Sequence, residues 1–286
     1  MVRKYRWTLR VRSYEGDAWG QVPAAGLLRY LEQSAIDAAA DAGYGREFHQ
    51  QHNSAWVIRR MTLIAQAPAR PGDDLEITTW LSHFAKVRGG REYQVRNAGS
   101  GEMLAMGLAE WVYINRQTMV PIAIPPELGK GFDVPGAPIG SYDLPDVGQS
   151  GTPAEFTYSR RALWHETDSM EHINNAVYAD WLDEAVRSSL DRVGWGTARL
   201  KEMGFQLRGE YYNLDYKRAA VPGMEVAVST SIVGVSGRLC SVRQAICDAE
   251  GRVLLAANSV YGWRDNNGEP CAAPEGWGIE ALENAE

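Results

Sequence analysis

The segment TDSMEHINNAVYADWLDEA, residues 167–185, brings an acid, an imidazole and two carboxamides together in a short stretch of chain. These groups belong to Asp168, His172, Asn174 and Asn175. A carboxylate can act as a general base, an imidazole can orient it, and free N–H groups at a helix start can bind a developing oxyanion. The structural alternative is that Asp and Asn residues before a helix cap its first turn. The segment by itself leaves both interpretations open.

An internal repeat indicates which elements position this segment. Asp17 and Asp168 lie 151 residues apart, and the same offset relates Leu63 to Leu214. Other pairs at this offset are Val22 and Ile173, Tyr30 and Trp181, Leu31 and Leu182, Gly43 and Gly194, and Pro71-Gly72 and Pro222-Gly223. Because one offset holds along so much of the chain, we expect a tandem duplication.

Each copy is expected to contain one long apolar helix, near 24–42 in the first and near 175–193 in the second, ended by Gly43 and Gly194. Alternating apolar residues between turn signals predict antiparallel strands after each helix. The strand-like runs are DDLEITTWLS, REYQVRNAG and EMLAMGLAEWVYIN in the first copy, and MEVAVSTSIV, RLCSVRQAICD and RVLLAANSVYGW in the second. The fold class is therefore α+β, with a curled antiparallel sheet wrapped around each long helix.

The predicted domain organisation follows from the repeat and from local composition. Residues 1–126 form an N-terminal unit, and residues 154–286 form a C-terminal unit that contains the Asp168 segment. Residues 127–153 between them are rich in Pro, Gly and Asp and have no sustained periodicity. They are expected to be a linker that crosses the surface.

Composition excludes several classes of function. The net charge of −7 argues against general nucleic-acid binding, and no apolar run approaches the roughly 18–20 residues of a membrane span. The basic first residues lack the apolar segment of a signal peptide. Three cysteines without metal-ligand spacing fit a reducing compartment, so we expect a cytoplasmic protein. No HxxxH, CxxC or Gly-rich phosphate motif is present, with VRGGRE interpreted as a hairpin turn, and no metal or cofactor is predicted.

The motifs resemble those of the acyl-[acyl carrier protein] thioesterases, which have a double hot-dog fold. The similarity extends from RVRSYEGDAWGQV through AWVIRRMTLIAQAPARPGDDLEITTW to YGWRDNNGEP, and its most specific part is HINNAVYADWLDEA. The resemblance implies hydrolysis of the thioester between a fatty acyl chain and the phosphopantetheine arm of a carrier protein. It also implies that the second repeat carries the chemistry, without a cofactor.

The chain departs from the family motif at two places. Where the family has Asp, Asn and His at alternate positions, this chain has Asp168, Met170 and His172. The acid or cysteine that follows an aromatic-basic-basic triplet in plant members is absent, because Tyr216-Lys217-Arg218 is followed by Ala219-Ala220. A simpler mechanism needs only Asp168 as general base, His172 as an orienting group, and N–H donors near Asn174 and Asn175. Asp17 is then the vestigial counterpart of Asp168.

The candidate substrate-binding residues are Met170, as an apolar plug at the pocket, together with residues of the first repeat. On its helix, Leu27, Leu28 and Leu31 form a stripe that is core and can also line an acyl tunnel. Arg59 and Arg60 can meet an acidic carrier protein, or they are solvated surface residues. The neighbouring basic residues are Lys86, Arg88 and Arg91.

Two other functions remain open from the sequence. A non-catalytic acyl-thioester or acyl-chain binding protein is favoured by Met170 and Ala219-Ala220, and a hydroxyacyl-thioester dehydratase can also use an acid and a histidine. The substrate is acyl carrier protein or acyl-CoA. The chain is expected to be a monomer or a homodimer, since the duplication already supplies the pairing of two units.

Overall fold

The computed structural model describes residues 3–130, 132, 142–148 and 154–277. The chain divides into an N-terminal unit, Met1–Tyr142, and a C-terminal unit, Asp143–Glu286. Both contain one long helix and five strands within the described residues. The predicted boundaries at residues 126 and 154 lie on either side of this division and remain predictions.

The N-terminal unit consists of an antiparallel sheet and three helices. Its strands are β1 Tyr5–Arg10, β2 Ser54–Ala65, β3 Asp74–Phe84, β4 Arg88–Asn97 and β5 Met103–Asn115, and its helices are α1 Ala24–Asp41, α2 Arg46–Gln51 and α3 Pro126–Lys130. The strand order is β1-β3-β4-β5-β2, with every neighbouring pair antiparallel. A single 3-10 turn, Ser13–Glu15, precedes α1.

The C-terminal unit repeats this arrangement. Its strands are β6 Ala154–Arg161, β7 Phe205–Tyr216, β8 Glu225–Ser236, β9 Leu239–Asp248 and β10 Val253–Asp265, and its helices are α4 Val177–Arg192 and α5 Thr197–Met203. The order is β6-β8-β9-β10-β7, again antiparallel throughout. A 3-10 turn, Trp164–Glu166, stands before α4 as its counterpart stands before α1. The same topology in both units confirms the predicted duplication.

The long helices form where the apolar spacing predicted them. Ten residues of α1 are buried, including Leu27, Leu28 and Leu31. Gly107 on β5 lies directly beneath α1, because a Cβ there would stand 2.7 Å from Cδ1 of Leu31. Gly43 ends the helix with a φ of +89°, and the matching glycine ends α4 in the same way. Each helix therefore packs its apolar stripe on one face of its own sheet.

Several elements were not predicted. The unpredicted strands are β1 and β2 in the N-terminal unit and β6 and β7 in the C-terminal unit. Strand β2 shows the physical reason, because the pairing register shifts between Ile58 and Arg60 and this bulge interrupts the alternation. The interpretation of VRGGRE as a turn was also wrong, since β4 starts at Arg88 and the hairpin closes at Ala85.

The start of the predicted linker packs into the N-terminal unit. Leu128 on α3 and Phe132 are 1% and 6% exposed, and both lie in a cluster with Leu81 and Tyr113. These described residues are therefore core and not surface linker. Most of the remaining segment lies outside the described residues.

Candidate active site

The segment around Asp168 forms a closed turn before helix α4. The Asp168 N–H donates to the His172 carbonyl oxygen at 3.0 Å, and the Glu171 N–H donates to the Asp168 carbonyl oxygen at 3.0 Å. Oδ1 of Asp168 accepts a further bond, at 2.8 Å, from the Met170 N–H. Glu171 completes the turn in the left-handed conformation, with a φ of +62°. The turn thus holds the two predicted catalytic side chains on one short loop.

The first repeat builds the same turn around Asp17. The Asp17 N–H donates to the Gln21 carbonyl oxygen at 2.7 Å, and Gly20 takes the left-handed position with a φ of +66°. Oδ1 of Asp17 accepts the N–H groups of Trp19 and Gln21, at 2.8 and 3.1 Å. An aspartate at this position therefore has a structural role in both units. Any chemistry must come from what the second unit adds to the turn.

The second unit adds polar atoms without a hydrogen-bond partner among the residues that the structure describes. They are Oδ2 of Asp168, the imidazole of His172 and the carboxamide of Asn175, all on half-buried residues. No hydrogen bond between described atoms joins the Asp168 carboxylate to the His172 ring. Both side chains can therefore bind a water molecule or a substrate directly. In the first unit, Gln21 and Ala24 occupy the positions of His172 and Asn175.

The two asparagines at the start of α4 differ in their contacts. Asn174 is a structural residue here, because its N–H donates to the Glu166 carbonyl oxygen at 3.0 Å and its Oδ1 accepts the Ala176 N–H at 3.0 Å. The carbonyl oxygen of Asn175 accepts the Tyr216 hydroxyl at 2.9 Å. The Asn175 N–H has no acceptor within the described part of the chain. This donor, at the positive end of the helix, suits a developing oxyanion.

The position of the missing plant-type acid adjoins the same loop. The Ala220 carbonyl oxygen accepts the Ile173 N–H at 2.9 Å, and the Ala220 N–H donates to the Tyr178 hydroxyl at 2.7 Å. Burial and the negative charge of Asp168 raise the pKa of Tyr178 to about 12. Tyr178 is therefore a neutral hydroxyl near Asp168 at any ordinary pH. Ala219 and Ala220 themselves offer no acid or thiol to the site.

A half-buried ion pair that sequence reasoning missed supports the loop. Oε1 of Glu166 binds the Arg160 guanidinium at 2.7 Å and accepts the Trp181 indole N–H at 3.1 Å, and Arg160 stacks 4.7 Å above that indole. The two carboxylates Glu166 and Glu15 lie 151 residues apart and both cap the backbone of their 3-10 turn. The 151-residue offset could have identified Glu15 and Glu166 as equivalent residues.

A second polar cluster was also missed. The hydroxyls of Tyr212 and Tyr261 each donate to Oδ1 of Asp183 at 2.7 Å. Burial raises the pKa of the Asp183 carboxyl. The three residues of this cluster lie on α4, β7 and β10, so no local sequence pattern connects them.

The predicted binding residues of the N-terminal unit occupy two environments. Leu27, Leu28 and Leu31 are 1%, 5% and 1% exposed and belong to the helix core. Arg59 is half-buried and Arg60 exposed on β2. Burial, and then the charge of Arg60, lowers the pKa of Arg59. Arg91 was wrongly grouped with these surface cations, because it is 5% exposed and donates to Thr79 at 3.3 Å.

Metal chemistry has no candidate ligand set in the described ranges, where no group of three or more His, Cys, Asp or Glu side chains converges. None of the described helices has both the length and the apolar character needed to span a membrane.

Family comparisons match each half of the chain. Residues 2–132 match the family model of the acyl-ACP thioesterase N-terminal domain. Residues 162–278 match the model of the thioesterase-like superfamily. The two matches correspond to the two units of the duplication, and the second includes the Asp168 turn.

Individual relatives agree with these matches. A chloroplastic palmitoyl-acyl carrier protein thioesterase of Arabidopsis thaliana is 26% identical over 219 residues, which are 72% of this chain and 52% of that protein. The chain spans about half the length of the curated relatives it matches first.

Solved structures share the fold. A putative oleoyl thioesterase from Lactobacillus plantarum superposes with a TM-score of 0.76 at 19% identity, over 91% of this chain and 96% of that one. A 12:0-ACP thioesterase from Umbellularia californica gives 0.68 at 21% identity, over 92% and 97%. These likenesses show that the chain has the double hot-dog fold.

Proposed function

We propose that the chain, whose N-terminal half matches the acyl-ACP thioesterase model and whose C-terminal half matches the thioesterase-like model, hydrolyses fatty acyl thioesters, with acyl-[acyl carrier protein] as the substrate and a free fatty acid as the product. One observation carries the proposal. Two equivalent turns hold Asp17 and Asp168 before a helix start, but only the second adds an imidazole, that of His172, to its aspartate and the unbonded N–H groups of that helix start. That combination supplies a base, a polar orienting group and an oxyanion donor.

The proposed reaction uses the atoms that the turn leaves unbonded. Oδ2 of Asp168 takes a proton from a water molecule as the water oxygen attacks the thioester carbonyl carbon. The Asn175 N–H and the positive end of α4 stabilise the negative charge that develops on the carbonyl oxygen. The C–S bond then breaks, and the proton held by Asp168 passes to the leaving sulfur. His172 positions the water or the thioester through its free ring nitrogens.

Residue roles follow from these contacts. Asn174 caps the start of α4, and Asn175 supplies the oxyanion donor through its backbone. Met170 borders the turn as an apolar residue of the acyl site. Leu27, Leu28 and Leu31 are proposed to serve the N-terminal unit as core.

We expect a preference for carrier protein over CoA as the leaving group. The charges of Arg60, Arg88 and Glu110 all act on Arg59, and Arg88 pairs with Glu110 at 3.1 Å, so three cations and one carboxylate lie close together on the N-terminal unit. A basic cluster of this kind speeds encounter with an acidic carrier. Release of thiol from acyl-carrier protein should be faster than release from acyl-CoA, and it should slow as salt is added. Equal, salt-insensitive rates would contradict this preference.

The same assay separates the rival functions. A hydrolase releases thiol, a dehydratase produces enoyl absorbance without thiol, and a binding protein retains the acyl thioester with neither signal. The free thiols of Cys240, Cys247 and Cys271 support our placement of the protein in a reducing compartment, the cytoplasm. Thiol-specific detection must therefore be corrected for the protein itself.

Met170→Asn tests the departure from the family motif. The Met170 backbone already donates to Oδ1 of Asp168, so the substitution returns the family amide without altering that bond. If this amide assists Asp168, single-turnover hydrolysis should rise several-fold. Met170→Leu, which stays apolar, is the matched control and should leave the rate near wild type. A fall in both variants would instead indicate that the pocket is packed around the methionine.

A further inference from the structure

Three exposed apolar side chains lie on the segments that border the reaction loop. Trp164 is 82% exposed, Leu163 is 42% exposed and Val221 is 39% exposed. Leu163 and Trp164 lead into the Asp168 turn, and Val221 directly follows Ala220. We call these three residues the apolar patch. Exposed apolar residues that occur together mark interaction sites more often than isolated ones do.

Backbone hydrogen bonds hold the two segments of the apolar patch side by side. The Gly223 N–H donates to the Ala162 carbonyl oxygen at 2.8 Å, and the Ala162 N–H donates to the Met224 carbonyl oxygen at 2.9 Å. The Thr167 hydroxyl donates to the Trp164 carbonyl oxygen at 2.6 Å, which ties the patch to the residue before Asp168. The patch is therefore fixed at the border of the proposed site.

The other repeat shows that folding does not require these apolar residues. Arg12, Ser13 and Arg70 occupy the positions of Leu163, Trp164 and Val221. The 3-10 turn is nevertheless the same, because the Arg12 N–H donates to Glu15 at 2.7 Å and the Leu163 N–H donates to Glu166 at 2.7 Å. At these three positions the apolar side chains occur only in the unit that carries the imidazole, although Tyr14 is also exposed on the equivalent turn of the N-terminal unit. Their exposure thus requires a reason other than the turn.

We propose that the apolar patch is the docking surface for the acyl carrier protein, an inference that rests on the proposed function. A partner docked there stands beside Asp168 and can deliver its thioester arm to the turn. Arg218, three residues before Val221, is exposed and can pair with an acidic partner, whereas the neighbouring cation Arg161 already pairs with Glu225 at 3.9 Å. Apolar contact at the patch supplies the short-range affinity of the docked carrier.

Trp164→Ser tests this docking surface, because the repeat itself places serine at that position. Truncation of a central interface tryptophan commonly weakens binding about tenfold or more. We expect the KM for acyl-carrier protein to rise about tenfold with kcat unchanged. Hydrolysis of a small acyl-N-acetylcysteamine thioester should not change. The matched control is Tyr14→Ser, which removes an aromatic side chain, 78% exposed, from the equivalent turn of the N-terminal unit.

A binding measurement keeps this inference separate from the proposed function. The dissociation constant of a carrier protein bearing a hydrolysis-resistant acyl amide is measured for wild type and for Trp164→Ser, and it should also rise about tenfold. An unchanged constant overturns the docking surface even if the wild type is a thioesterase. A wild type that binds through Trp164 but hydrolyses no thioester overturns the function and retains the surface.

Two other occupants are distinguished in the same series. If Trp164→Ser changes the sedimentation of the protein alone, the patch is an interface between copies of this chain. If the substitution abolishes binding to vesicles of phosphatidylglycerol and phosphatidylcholine, the patch meets a lipid surface. Either result, with carrier affinity unaltered, overturns the assignment.

Discussion

Asp168→Asn should lower the turnover of acyl-carrier protein by roughly 10²–10⁴-fold, the usual span for a positioned general base. The substitution removes the charge and preserves the hydrogen bond of the turn, because asparagine keeps an Oδ1 acceptor for the Met170 N–H, which the aspartate binds at 2.8 Å. The turn before α4 should therefore survive. What the variant loses is the negative charge at Oδ2, the oxygen proposed to take the proton from water. Single-turnover rates measure the loss without interference from product release.

The repeat provides the control for this experiment. Asp17→Asn makes the same chemical change in the equivalent turn, where Oδ1 accepts the N–H groups of Trp19 and Gln21. It should leave turnover within about twofold of wild type, as a residue without a role in the chemistry does. His172→Ala should lower turnover less than Asp168→Asn does if the imidazole only positions the substrate. Full activity in Asp168→Asn, with an unchanged circular dichroism spectrum, would remove Asp168 from the mechanism.

The sequence predicted the positions of the long helices and of the Asp168 loop because both depend on residues that are close together in the chain. Helix α1 and helix α4 carry apolar residues at helical spacing and end at glycines, so each signal lies within the element it predicts. The Asp168 turn was also found, since its polar residues are neighbours in sequence. The offset of 151 residues then related the two turns before any contact was known.

The remaining features depend on contacts between distant segments. Strand β2 carries adjacent arginines at a bulge, so its alternation gives no clean strand signal. Arg91 is charged and sits beside two glycines, and only its packing within the N-terminal unit shows it to be buried. The cluster of Asp183 with Tyr212 and Tyr261 joins three elements. No spacing rule could have revealed which asparagine amide remains free.

Glu210→Ala should lower the free energy of unfolding by about 3–5 kcal/mol, the cost of removing one partner from a buried ion pair. Oε1 of Glu210 binds Arg264 at 2.6 Å and Arg238 at 2.8 Å. The side chains of Glu210 and Arg264 are only 3% and 5% exposed. Without the carboxylate, the Arg264 guanidinium stays buried and loses its ion pair with Glu210. Urea denaturation followed by circular dichroism measures the loss.

The loss of unfolding free energy in Glu210→Ala should come from leaving the Arg264 charge buried without its ion-pair partner, and not from deleting favourable contacts. The double variant Glu210→Leu with Arg264→Met should therefore be more stable than Glu210→Ala, because replacing a whole buried pair with apolar residues is often neutral. Glu250→Gln is the surface control, since its pair with Arg252 is 66% and 56% exposed. It should change stability by less than about 1 kcal/mol. A double variant as unstable as the sum of its single changes would show that packing, and not the buried charge, sets the cost. Within the C-terminal unit, Glu210 on β7 and Arg264 on β10 would then act as independent side chains.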